Sequence, residues 1–302
     1  MNIDALNRDH GVAGRVEFLA GRGSLPMIHV HNDAADAVIS IYGGQVLSYR
    51  PKATGREMLF LSEHAYYAEG KAIKGGVPVC WPWFGADPEG KGRPAHGFAR
   101  NRMWSVFGVD ASNDGVTKVT IGFDSDDDTR KLWPHDFRLR LVVTVGPELG
   151  LELVTSNTGS TAFQLTQALH TYFSIGAIAA TEVHGLGGCR FLDKAHGGGE
   201  VVQDGPVTFA GEVDAVYMGV DSLLSITDGA QQRRIEIASE GSHTAVVWNP
   251  WEAIAKSMAD LADDDYTRLV CVETTNAANE VITVPADGGS HRMVARYRDI
   301  SA

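Results

Sequence analysis

From Met27 to Asp299 the chain is a succession of short runs in which apolar and polar residues alternate, broken by turn formers every roughly 8–15 residues. MIHVHN, AVISIYGGQVLSY and EMLFLS are separated by Asn32-Asp33, Gly43-Gly44, Pro51 and Gly55. Further on, SVFGVDASNDGVTKVTIGFDS carries Asn113-Asp114-Gly115 between two alternating runs, a hairpin signal. FRLRLVVTVGPELGLELVTSNTG and TAFQLTQALHTYFSIG repeat the pattern, residues 181–230 continue it, and IEIASEGSHTAVVWNPW reads as another strand pair. RLVCVETTN, EVITVPADGG and HRMVARYRD close the chain. The best helix candidate, WEAIAKSMADLADD, allows one or two turns. This patterning predicts an all-β protein built on two large packed sheets. With no fixed-period repeat and no low-complexity linker, residues 1–302 are expected to form a single domain.

Composition narrows the function classes. The 44% hydrophobic and 21% charged content is that of a globular protein with ample material for a core. A net charge of −12 argues against general nucleic-acid binding, which needs a basic face. The N-terminal MNIDALNRDHGVAGRVEFLAG has scattered charges and no continuous apolar stretch, so a secretory signal is not expected, and no apolar run is long enough for a membrane helix. Cys80, Cys189 and Cys271 are odd in number and far apart, which fits a reducing cytoplasm and neither a disulfide nor a zinc framework. Cys80 and Cys271 sit in apolar runs, as small core residues do.

One stretch departs from the acidic balance. Between residues 71 and 102 lie six bases (Lys71, Lys74, Lys91, Arg93, Arg100, Arg102) and two acids (Asp87, Glu89). Trp81, Trp83, Trp104, two phenylalanines and His96 are interleaved with glycines and prolines. Lys and Arg on such a framework suit an anionic group, and tryptophan faces suit the C–H face of a small polar ring. The alternative is a loop that covers the core and holds its bases in solvent.

The acidic runs and most histidines carry less. Asp124-Ser125-Asp126-Asp127-Asp128 lacks the calcium-loop glycine at position six (Thr129) and the glutamate at position twelve (His135), so it reads as a solvated loop, as does Asp263-Asp264-Asp265. His29 and His31 would face one side of a strand, but no metal-ligand spacing accompanies them, nor His96, nor His170. His29, His31, His184 and His196 read as structural or surface residues. His170, at the end of the apolar run ALHTYFSIG, is either a proton donor and acceptor or a satisfied core histidine. Glu273, after LVCV, is either hydrogen-bonded structure or a general base whose pKa burial raises.

ISIYGGQVLSYRP, KAIKGGVPVCWPWFG, AHGFARNRMW, ALHTYFSIG, VDAVYMG, VVWNPWEAIAKSMADL and YTRLVCVET, in this order from about residue 38 to 275, resemble the hexose-6-phosphate mutarotases (glucose-6-phosphate 1-epimerases) of the aldose 1-epimerase superfamily. The resemblance implies a β-supersandwich of the galactose-mutarotase type, with no metal and no organic cofactor. By position it implies that His170 is the general acid and Glu273 the general base. Arg100 in HGFAR matches the family's phosphate-binding arginine, and Lys74 falls where many members have a second arginine in an R-G-G motif. Asp214 in VDAVYMG matches an aspartate that holds sugar hydroxyls, and His96 in AHGFAR a histidine near the sugar. Ala95 stands where some members place a glutamine.

The implied activity is interconversion of the α and β anomers of a hexose 6-phosphate by ring opening and reclosure. The expected partner is a small-molecule sugar phosphate, with neither nucleic acid nor membrane, for a monomer in the cytoplasm. Two other functions fit less of the sequence. A mutarotase of unphosphorylated aldoses would not need the basic excess around Arg100. A non-catalytic carbohydrate-binding or metabolite-sensing protein would not need His170 and Glu273 together.

Overall fold

Side chains alternate across a strand, so each alternating run offers one apolar face, and two such faces must meet to exclude water. The computed structural model, which describes residues 1–111 and 115–300, resolves this need with two eight-stranded antiparallel sheets. The first, the site sheet, runs in spatial order Gly199–Val202, Arg190–Asp193, Val213–Met218, Thr244–Asn249, Leu269–Asn276, Gln167–Leu169 and Val79–Cys80. Tyr172–Ser174 joins it alongside Leu269–Asn276. The second runs Thr181–His184, Leu223–Asp228, Arg233–Glu240, Ser290–Asp299, Leu149–Asn157, Phe137–Val145, Thr117–Asp124 and Ser105–Ala111. Leu139, Leu141, Val143, Leu151 and Leu153 from the second sheet share one core with Val247, Val270 and Val272 from the site sheet. The expected all-β supersandwich is therefore present. It is accompanied by a four-stranded antiparallel sheet (Val16–Ala20, Pro26–His31, Ala35–Ser40, Gln45–Pro51) and a ribbon of Phe163–Leu165 with Ile282–Val284.

Several expectations need correction. IEIASEGSHTAVVWNPW does not form a strand pair. Arg233–Glu240 belongs to the second sheet and Thr244–Asn249 to the site sheet. Ile235 and Ile237 on one side, Ala245 and Val247 on the other, reach the shared core from opposite directions, which pairing within one sheet would prevent. The Asp124–Asp128 run is not simply a solvated loop. Asp126 caps a helix, Asp127–Leu132, accepting from the Thr129 N–H at 2.7 Å while Thr129 Oγ1 accepts from the Asp126 N–H at 2.8 Å. Nor is Asp265 solvated: it is buried and accepts from the Ala262 N–H at 2.9 Å and Arg268 Nε at 2.8 Å. The helix expected after Trp251 is there, Trp251–Ser257. The N-terminal helix Ile3–His10 was not foreseen, because its apolar residues are too few to mark a periodicity. The strands flanking the Asn113-Asp114-Gly115 hairpin signal pair antiparallel, while Asn113 and Asp114 themselves lie outside the described residues.

Leu269–Asn276 is buried along its whole length, because both of its faces are covered. Val270 and Val272 face the intersheet core, while Leu269 and Cys271 pack on the opposite side with Phe60 and Tyr172. Glu273, in step with Cys271, emerges on that opposite side. Within the described residues no helix is long and apolar enough to cross a membrane.

Candidate functional site

Glu273 is 1% exposed at its side chain, a position that ordinarily disfavours a carboxylate. Its neighbours come from the strand register. Glu273 pairs with Val246, Trp248 with Cys271, and Asp214 with Trp248, which sets Asp214, Val246, Trp248 and Glu273 on one face across three strands. On the other flank, the chain bends between Gln167–Leu169 and Tyr172–Ser174. The Thr171 hydroxyl turns into the core to meet Tyr297 Oη at 2.5 Å, so His170 and Tyr172 turn to the site. The His170 backbone N–H donates to the Pro78 carbonyl at 3.0 Å. Its imidazole stacks on Tyr172, with ring centroids 4.9 Å apart and planes 13° from parallel. His170 Nε2 lies 3.4 Å from Glu273 Oε1.

The basic stretch supplies the adjoining wall. Buried Gln45 donates from Nε2 to the Gly75 carbonyl at 2.5 Å, holding the Lys74 loop against the four-stranded sheet. Gly76 (φ +60°) donates to the Phe60 carbonyl at 2.7 Å and accepts from the Tyr172 N–H at 2.9 Å. A Cβ there would lie 2.2 Å from the Val46 carbonyl oxygen. Gly97 (φ +71°) runs so close to Trp81 that a Cβ would lie 1.9 Å from that carbonyl oxygen. His96 and Arg100 flank this contact. His96 donates its backbone N–H to the Gly85 carbonyl at 2.7 Å and accepts from the Gly85 N–H at Nδ1, 3.3 Å away. An accepting Nδ1 assigns the ring proton of neutral His96 to Nε2.

The structure brings Lys74, His96, Arg100, His170, Asp214 and Glu273 to one cavity of about 230 Å³, also lined by Phe84, Tyr172, Val246, Trp248 and Met258. A second cavity of about 280 Å³ shares Lys74, Arg100 and Tyr172 with it and extends to Tyr66, Lys71 and Asn101. A larger one of about 700 Å³, against the N-terminal helix, shares no residue with this site. Among the described residues no cluster of three or more His, Cys, Asp and Glu groups is arranged to hold a metal ion.

The charges are ordered. Arg100 Nη2 donates to the Ala95 carbonyl at 3.1 Å, while its buried Nε has no partner among the described residues. Lys74 Nζ lies 3.5 Å from Asp260 and 3.8 Å from Met258 Sδ. The other bases of the stretch are mostly engaged elsewhere: Arg93 with Asp87 and Glu89, Lys91 with Glu89, and Arg102 with Asp126. Burial, with Asp214 acting in the same sense, holds the Glu273 carboxyl well above the usual carboxylate range against the pull of Arg100. Burial, assisted by His96, Arg100 and Lys74, holds His170 well below the usual imidazole range. His96 is pushed down to about 3 by burial, then by Arg100 and Lys74. Both directions favour the neutral forms, a protonated Glu273 beside an unprotonated His170.

The ring-stacking part of the sequence expectation fails. Trp81, Trp83 and Trp104 are core residues, each with its indole N–H satisfied: by Thr155 Oγ1 at 2.9 Å, the Pro94 carbonyl at 3.0 Å and the Ala99 carbonyl at 2.8 Å. A tryptophan's composition says nothing about which face it takes, and these take the core face. The site's own indole is Trp248, edge-on to His170 at 6.2 Å. The sequence reading missed Trp248, Val246 and Met258. The first two alternate along TAVVWN, but only the cross-strand register shows that this face meets Glu273. His29 and His31, by contrast, are surface residues as expected.

A family model described as "Aldose 1-epimerase" matches residues 26–298. An Escherichia coli (strain K12) protein described as "Putative glucose-6-phosphate 1-epimerase" is 40% identical over 255 residues, which is 84% of each chain. A Cenchrus ciliaris protein with the same description is 35% identical over 262 residues, 83% of this chain and 78% of that one. The crystal structure of a "putative mutarotase" from Salmonella typhimurium superimposes with a TM-score of 0.89 at 34% identity, covering 97% of this chain and 96% of that one. A galactose mutarotase-like protein from Clostridium acetobutylicum shares the fold, with a TM-score of 0.73 at 15% identity, covering 95% and 98%.

Proposed function

Because the chain belongs to the aldose 1-epimerase family, we propose that it interconverts the α and β anomers of a hexose 6-phosphate, glucose 6-phosphate in the first instance. The observation that carries this is the placement of a buried His–Glu pair, 3.4 Å apart, in the same small cavity as Arg100 and Lys74. Anomer exchange needs one group at the C1 hydroxyl and one at the ring oxygen, and nothing else that reacts. The descriptions of the relatives add the phosphorylated substrate.

The 6-phosphate sits between Arg100, whose Nε meets no acceptor among the described residues, and Lys74, which turns from Asp260 to the anion. The anion offsets both Arg100 and Lys74 at His170, which favours the imidazolium, and offsets only Arg100 at Glu273, which acts the other way, so on balance the shared proton moves towards His170. Glu273 then takes the proton of the C1 hydroxyl as His170 gives its proton to the ring oxygen. The C1–O5 bond breaks, and the open-chain aldehyde rotates about C1–C2. The 5-hydroxyl attacks the other face, returning its proton to His170 while Glu273 protonates O1. His96 donates from Nε2 to a ring oxygen, and Asp214 accepts from a ring hydroxyl. Trp248 and Tyr172 wall the site against solvent. The phosphate contacts hold the anomeric carbon at the pair, which lowers the entropy still to be lost at the barrier.

The same proposal covers the chain as a monomer, and as one domain, since both large sheets draw strands from distant parts of the sequence. The three unpaired cysteines support work in a reducing cytoplasm. Exchange of glucose 6-phosphate anomers, followed by NMR, tests the assignment. The protein accelerates it, and His170→Ala or Glu273→Gln slows it by about 10²–10⁴-fold while sugar-phosphate affinity stays within about threefold. Near-full activity in either variant would remove that residue from its role.

A further inference from the structure

The site has a polarity that a substrate with charge of one sign only does not use. Across the site sheet, Val213–Met218 lies two strands to one side of Leu269–Asn276, about 10 Å at the usual strand spacing. Gln167–Leu169 and Val79–Cys80 lie to the other side. Asp214 is therefore on one flank of Glu273, and the Lys74 loop and Arg100, which bracket Val79–Cys80 in the chain, are on the other. The Asp214 carboxylate is half-buried and receives no hydrogen bond and no ion pair from any described residue. Glu212 and Asp193 line an adjoining cavity of about 250 Å³ together with it, and the compensating charge that acts on it comes from the exposed Lys194.

Ring connectivity turns this polarity into a specificity. With C1 at the His170–Glu273 pair, the ring leaves C1 in two directions. One passes through O5, C5 and C6 to the phosphate at Lys74 and Arg100. The other leads to C2, which consequently lies towards Asp214. We propose that Asp214 makes this a site for 2-amino-2-deoxyhexose 6-phosphates, taking the C2 ammonium on its free carboxylate while Lys74 and Arg100 take the phosphate. The inference rests on the phosphorylated-hexose assignment above and extends it to a zwitterionic substrate class. A C2 hydroxyl and a C2 ammonium both make a charge-assisted hydrogen bond to a carboxylate, but only the ammonium adds the attraction of an ion pair, which a half-buried site screens less than water does. The amino sugar therefore gains from Asp214 what the hydroxy sugar does not.

The test compares anomer exchange of glucosamine 6-phosphate, glucose 6-phosphate and 2-deoxyglucose 6-phosphate. With the natural protein, glucosamine 6-phosphate is turned over with a kcat/KM at least equal to that of glucose 6-phosphate. In Asp214→Asn, the ratio of amino-sugar to hydroxy-sugar kcat/KM falls about tenfold. The 2-deoxy sugar measures the part of any loss that does not pass through C2. Turnover of glucose 6-phosphate without turnover of the amino sugar would overturn the inference and leave the hexose-phosphate assignment standing. An unchanged ratio in a folded variant would do the same, and the comparison on the natural protein decides the matter if the variant does not fold. Failure to turn over any of the three would remove the assignment and the inference together.

Discussion

His96 shows how one residue ties the site to stability. Its positive φ of 62° and its reciprocal hydrogen bonds with Gly85 hold the ring against the cavity, where Arg100 and Lys74 oppose a further positive charge. A histidine depressed to about 3 in the folded state and titrating near 6.5 when unfolded binds its proton more readily in the unfolded chain. Its contribution is complete above pH 6.5 and is lost as pH falls towards 3, at about 1.4 kcal/mol per pH unit. Urea unfolding between pH 7 and 4, in a buffer without phosphate, should show stability falling from near pH 6.5. His96→Asn, which tolerates the left-handed backbone and keeps an acceptor for Gly85, should reduce that slope by about one proton. An unchanged slope would mean that His96 takes up its proton in the folded protein as freely as in the unfolded one. His170 and Glu273 were legible in the sequence because each is an isolated ionisable residue in an apolar run. Whether they were chemistry or satisfied structure was not legible, since that depends on their meeting across residues far apart in the chain.

Elements carry the next level of precision. The Lys74 loop lies between Gln45–Pro51 and Tyr172, and Gly76 is where the backbones touch. Gly76→Ala must strain a positive φ and displace the Val46 carbonyl. We expect a loss of at least about 2 kcal/mol in urea unfolding, together with a raised KM for the phosphorylated sugar. A loss under about 0.5 kcal/mol would mean that the loop moves freely and does not position Lys74. The strand pattern was readable because alternation is local, and each run needed only one apolar face. Sheet membership was not, as Arg233–Glu240 and Thr244–Asn249 show: adjacent in sequence, they belong to opposite sheets. The Asp126 cap escaped notice for a related reason. An acidic run looks solvated until Thr129, three residues on, is seen to complete a capping box.

At the scale of the molecule, a chain with net charge −12 gathers Lys74 and Arg100 beside the buried His170–Glu273 pair and engages most neighbouring bases with acids of its own. On the proposed assignment, Arg100 and Lys74, the latter held among the described residues only by Asp260 at 3.5 Å and Met258, select a phosphorylated ring for the His170–Glu273 pair. The composition of residues 71–102 left an anion pocket and a core-covering loop both open, and the three tryptophans read with it, Trp81, Trp83 and Trp104, go to the core. The direct measurement is anomer exchange by NMR magnetisation transfer, with glucose 6-phosphate and free galactose run side by side on the natural protein and on Arg100→Ala. The phosphorylated sugar should be strongly accelerated and the free one little. Arg100→Ala should raise KM for glucose 6-phosphate at least about tenfold and leave the free sugar nearly unchanged. Equal acceleration of both sugars, or an equal effect of Arg100→Ala on both, would remove the phosphate site from Arg100 and Lys74.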